Sequence, residues 1–94
     1  MLKSINVMGR VIKIKYVDRK VLDKMITNAE GIWDSYTETI YIYKKAPKNI
    51  QLYYIYHEAG HALFTFTGLD QVINHEMQEV LVQSYASFIR SLNE

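Results

Sequence analysis

At 94 residues, with 49% hydrophobic and 13% aromatic content, the chain can build one compact core but not two of ordinary size, so residues 1–94 are read as a single domain. Eleven Lys plus Arg against ten Asp plus Glu leave a net charge of +1, which gives no broad attraction to nucleic acid or to an anionic membrane. The lack of cysteine excludes disulfides, thiolate nucleophiles and Cys-type zinc sites together, so any metal must be bound through His, Asp or Glu.

The N-terminus carries no long apolar core after Lys3, and no later stretch reaches the roughly 18 uncharged apolar residues of a membrane span. We expect neither a signal peptide nor a membrane span, and a cytoplasmic location. Val11 to Val17 alternates Ile12, Ile14 and Tyr16 with Lys13 and Lys15, the two-residue period of a half-buried strand, and Ile5 to Val7 can pair with it across Met8-Gly9-Arg10. From Asp18 to Glu30 the spacing of Val21, Leu22, Met25 and Ile26 is helical, with Asp18 as N-cap and Gly31 as the stop. Gly31 to Asp34 and Thr39 to Tyr43 flank the polar Ser35-Tyr36-Thr37-Glu38, which reads as a hairpin whose second strand adjoins the following helix.

Pro47 ends the strand region and suits the first turn of a helix. Between Ile50 and Thr67 the positions Ile50, Tyr53, Tyr54, His57, His61 and Phe64 recur at helical spacing, and Gly68 is the stop. After a loop over residues 69–74, a second long helix carries Leu81, Tyr85, Phe88 and Leu92 on one stripe and Glu79, Val82, Ala86 and Ile89 on the next, so Glu79 can face the first helix. The expected fold class is α+β: a small antiparallel or mixed sheet, then a helix bearing the pattern HExxH, then a C-terminal helix, which amounts to a minimal zincin-like fold.

His57 and His61 lie just over one helical turn apart, so both imidazoles can close onto one ion, while Glu58 stands beside it without ligating. A catalytic zinc takes three protein ligands, and at such a site water is acidified to a pKa of about 7, with Glu58 as the general base that takes its proton and returns it to a leaving amine. The third ligand must come from Asp70, His75, Glu76 or Glu79, Glu94 being too close to the end; chain length and helix placement rank Glu79 first and Glu76 second. Gln83, one turn beyond Glu79, is placed to hydrogen-bond a ligating histidine. His75 otherwise reads as a capping or surface residue, the eight tyrosines as half-buried packing residues, and Lys13, Lys15, Lys44, Lys45 and Lys48 as solvated.

The segments Gly31-Ile32-Trp33-Asp34, Thr39 to Tyr43, Tyr56-His57-Glu58-Ala59-Gly60-His61-Ala62-Leu63-Phe64 and Gln78-Glu79-Val80-Leu81-Val82 resemble the ImmA/IrrE-type metallopeptidases of bacteria and phages, a gluzincin-like group, and the length is most similar to their short phage versions. That resemblance implies one Zn²⁺ per chain on His57, His61 and Glu79, with Glu58 as base and Gln83 beyond the third ligand. Gly60, just before the second histidine, permits close packing beneath the site.

The reaction expected is hydrolysis of a peptide or protein substrate held as an extended strand along Thr39, Ile40, Tyr41, Ile42 and Tyr43, taken as the sheet edge. A chain this short has little to build a deep cleft from, so we expect a shallow cleft, or one completed by a second copy or a regulatory protein partner. The alternative is a zinc-stabilised module that binds a partner protein without cutting it. Neither nucleic acid nor membrane is expected as a partner.

Overall fold

The computed structural model describes residues 1–92; Glu94 lies outside the described residues. Strands β1 (Ser4–Val7), β2 (Arg10–Val17), β3 (Gly31–Asp34) and β4 (Thr39–Tyr43) form one mixed sheet, and helices α1 (Arg19–Met25), α2 (Lys48–Thr67) and α3 (His75–Leu92) complete the chain. This is the α+β order expected, with a single 3₁₀ turn at Leu69–Gln71 inside the loop before α3.

β1 and β2 form a tight hairpin in which Val7 faces Arg10. Its two turn residues, Met8 and Gly9, have φ of 54° and 83°, the left-handed pair that a two-residue connection needs, and the Asn6 carboxamide oxygen accepts the Gly9 N–H at 2.8 Å. α1 starts as expected, with the Asp18 carboxylate accepting the Val21 N–H. It stops well before Gly31: Ile26 is already extended, and Asn28, at φ 63°, turns the chain while Asp23 accepts its N–H at 3.2 Å. Asparagine tolerates the left-handed region, and that local turn outweighs helix propensity over residues 26–30.

The strand order is β1-β2-β4-β3, with β2 and β4 parallel and the other two pairs antiparallel. β4 is therefore hydrogen-bonded on both sides, which corrects the expectation that Thr39, Ile40, Tyr41, Ile42 and Tyr43 form the edge. The physical reason is burial: Ile40 and Ile42 are fully inaccessible and Thr39 nearly so, and a strand with no polar face belongs inside a sheet. The edge beside α2 is β3.

The core lies between the sheet and α2, where Ile12, Ile14, Ile40 and Ile42 meet Ile55 and Ala62. Pro47 caps α2 at φ −56° and Gly68 ends it in the left-handed conformation at φ 80°. Gln51, buried in the first turn, donates to the carbonyls of Tyr43 and Lys44 at 3.2 and 3.1 Å and ties the helix start to the end of β4. α2 packs across β3 and β4 on one side and against α3 on another, so it is buried around much of its circumference. α3 is started by Asn74, whose side chain accepts the Met77 N–H at 2.8 Å. Of its two apolar stripes, the one carrying Val82 and Ala86 is buried, whereas Leu81, Tyr85, Phe88 and Leu92 stay about half exposed or more.

The contact that brings the two long helices together is Gly60 against Val82. A Cβ on Gly60 would stand 2.7 Å from Val82 Cγ1 and 3.2 Å from its Cβ, and a β-branched side chain has no room to turn away. Gly60→Ala is thus expected to destabilise the protein by about 1–2 kcal/mol, overpacking outweighing the better helix propensity of alanine. Adding Val82→Ala should recover part of that loss, a coupling read from the four melting temperatures of a double-mutant cycle.

Candidate metal and catalytic site

Both histidines leave the same side of α2, and α3 brings Glu79 over them. The Nε2 atoms of His57 and His61 lie 3.4 and 2.8 Å from the two carboxylate oxygens of Glu79. One donor atom from each of the three residues falls within 4.8 Å of the others, so the group can hold a metal ion. The two imidazole–carboxylate distances lie near the roughly 3.3 Å that separates neighbouring ligands of a four-coordinate ion bound at about 2.0–2.1 Å.

The third-ligand alternatives separate clearly. Asp70 and His75 line the same cleft without joining the ligand group, and His75, on the exposed first turn of α3, reaches only to 3.9 Å from Glu79. Glu76 is exposed and does not line the cleft. Gln83 does not support a histidine as expected: its Nε2 donates to the Glu79 carboxylate at 3.5 Å. The i, i+4 spacing puts it against its own helix neighbour, where it steadies the carboxylate. Nδ1 of His57 is buried with no hydrogen-bond partner among the described residues.

Glu58 is only 8% exposed. Burial, reinforced by the nearby Glu79 charge, pushes its carboxyl up to about 8, against the lowering effect of a hydrogen bond from the Trp33 backbone. Burial also lowers the His57 imidazole, partly offset by Glu79. A cation held by the two imidazoles and Glu79 would favour the ionised Glu58 carboxylate and draw it back down. The site is thus two imidazoles and two carboxyl groups taken largely out of water, an arrangement that charge compensation by a metal suits.

β3 supplies the other wall of a cleft of about 600 Å³. Glu30 accepts the Tyr43 N–H at 3.0 Å, so by alternation Ile32 faces β4 while the peptide groups of Gly31 and Trp33 point away from it. A Cβ at Gly31 would sit 3.0 Å from Tyr54 Cβ and 3.4 Å from Glu58 Cγ, so this glycine is what allows the edge to approach α2. Trp33 Nε1 donates to Thr65 Oγ1 at 3.2 Å and pins the same strand to the helix further along. Sequence reasoning gave Gly31 the role of a helix stop; a lone glycine at the head of an apolar strand was the available sign of close backbone approach.

No family model, curated protein or solved structure matches the chain. Among the described residues, no helix is long and apolar enough to cross a membrane.

With Glu58 raised to about 8 against an ordinary value of 4.5, the folded state holds a proton that the unfolded chain has released, so its contribution to stability is lost as pH rises towards 8. His57, lowered from 6.5, acts in the opposite sense, costing stability as pH falls below 6.5. Between about pH 7.5 and 8.5 the unfolded His57, at its ordinary 6.5, is about nine-tenths neutral or more, and the folded one more so. In that window the chelator-treated wild type should lose melting temperature with rising pH, while Glu58→Gln stays nearly flat and melts higher at pH 8.

Proposed function

We propose that this chain is a minimal zinc-dependent peptidase, as its resemblance to the ImmA/IrrE-type metallopeptidases implies, hydrolysing a peptide bond with Glu58 as general base. The observation that carries the reading is one cleft holding a His-His-Glu donor set and, beside it, a buried carboxyl group whose proton affinity is raised towards neutrality. Zinc bound there would supply Lewis acidity, polarising the substrate carbonyl and lowering the pKa of water to about 7.

The chain's own groups do the rest. Glu58 takes the proton of the attacking water and delivers it to the leaving amine, and its seat against Trp33 fixes where that carboxyl stands. The outward N–H and C=O of Gly31 and the outward C=O of Trp33, whose N–H serves Glu58, offer hydrogen bonds to an extended substrate, the role expected at first of β4. Gln83 and the neighbouring turns of α2 and α3 hold Glu79 in place.

A second reading has its own support. The exposed Leu81, Tyr85, Phe88 and Leu92 give α3 an apolar outer face of the kind a partner protein covers, so a zinc-stabilised binding module without turnover also fits.

Glu58→Gln separates the two readings. Protein prepared without chelator should carry about one zinc per chain by elemental analysis, and Glu58→Gln should keep it while losing at least about 100-fold in peptide hydrolysis. His57→Ala and Glu79→Ala should lose or weaken zinc. Retention of full biological function by Glu58→Gln would favour the binding module; no zinc even after reconstitution would sink both readings.

A further inference from the structure

The cleft is lined by four carboxyl groups and no ammonium or guanidinium group: Glu30, Glu58, Asp70 and Glu79 face it, and none of the chain's eleven Lys and Arg does. Three of the four are engaged. Glu79 belongs to the donor set and Glu58 sits on the Trp33 backbone. Glu30 receives Arg19 Nη2 at 2.6 Å, and that guanidinium, stacked 4.2 Å over the Tyr43 ring, neutralises the β3 end of the cleft from behind.

Asp70 is the exception. It stands half-buried in the 3₁₀ turn after α2, at the opposite wall, and makes no ion pair or side-chain hydrogen bond among the described residues. The cleft is therefore electrostatically lopsided: balanced at its β3 end and carrying an uncompensated negative charge at its α2–α3 end. Its lining also offers no Lys or Arg to clamp a free C-terminal carboxylate.

We infer that the cleft selects an internal peptide segment bearing a lysine or arginine side chain on the Asp70 side of the metal, with Asp70 as the specificity-determining residue. This rests on the reading of the cleft as a peptide site and names the class of peptide it takes. A cationic side chain laid along that wall meets a carboxylate that nothing else neutralises, in a concave setting where solvent screens less than on an open face. An acidic side chain in the same place is repelled.

The test uses zinc-loaded Glu58→Gln, which holds peptide without cutting it, and octapeptides blocked at both ends, tagged with an uncharged fluorophore, and carrying one lysine, norleucine or glutamate at each position in turn. Fluorescence anisotropy should show lysine bound about fivefold more tightly than norleucine at positions on one side of the peptide centre only, and glutamate most weakly there, the upper range for a half-exposed ion pair. Asp70→Asn in the same background should bring lysine and norleucine within twofold while leaving norleucine affinity as it was. In the unsubstituted-Asp70 protein, 0.5 M salt should shrink the lysine gain.

Equal affinities for lysine and glutamate, a lysine gain spread over both sides, or a gain that survives Asp70→Asn would overturn the inference. So would the absence of saturable binding by every peptide. Cleavage of an unfolded protein such as reduced casein by the wild type, abolished by Glu58→Gln, would in those cases show that the peptidase reading stands without it.

Discussion

The reach of a short side chain is the constraint on which the rest of the structure depends. An imidazole and a carboxylate can share an ion only if the two helices that carry them lie almost backbone to backbone, and Gly60 against Val82 is where they do. On another side of α2 the same demand recurs, since Glu58 must meet the strand edge, and Gly31 is the residue that lets it. Two missing side chains thus set the positions of four functional ones. The remaining architecture keeps α2 from slipping: Gln51 ties its start to the end of β4, and Trp33 holds Thr65 further along.

That placement has an energetic cost that the protein itself does not offset. His57 and Glu58 are buried polar groups, and Nδ1 of His57 has no partner among the described residues. A domain of this size has a thin margin of stability, and each buried polar group left unsatisfied consumes about 1–3 kcal/mol of it. An ion held by His57, His61 and Glu79 would leave that nitrogen as it is but would compensate the charge of Glu58 and Glu79, so stability stands to gain along with chemistry from the same four residues.

What could be read from the sequence and what could not divide along physical lines. The His57, Glu58 and His61 arrangement is local, set by helical pitch alone, and Glu79 followed once the second helix was phased. The strand order was not legible, because pairing between β2 and β4 depends on partners more than twenty residues apart; the sign present was the two-faced apolarity of Thr39 to Tyr43, which fits an interior strand. α1 ended early because one asparagine turn is stronger than the propensity of five ambiguous residues. Gln83 went to the nearer acceptor. On α3 both apolar stripes were visible, but amphipathicity does not say which stripe Gly60 would admit.

The parallel pairing of β2 with β4 bears on how the molecule comes to be built. The β1–β2 hairpin, the β3–β4 hairpin and the α2–α3 pair are each local in sequence and can form quickly. Joining the first to the second requires closing a loop through α1 and β3 before any reward is collected, which makes it the natural slow step. Until it is complete, β4 has an open flank with Ile40 and Ile42 uncovered, in a stretch of five β-prone residues without charge or proline. The strand most protected in the finished fold is then the one most prone to aggregation during synthesis.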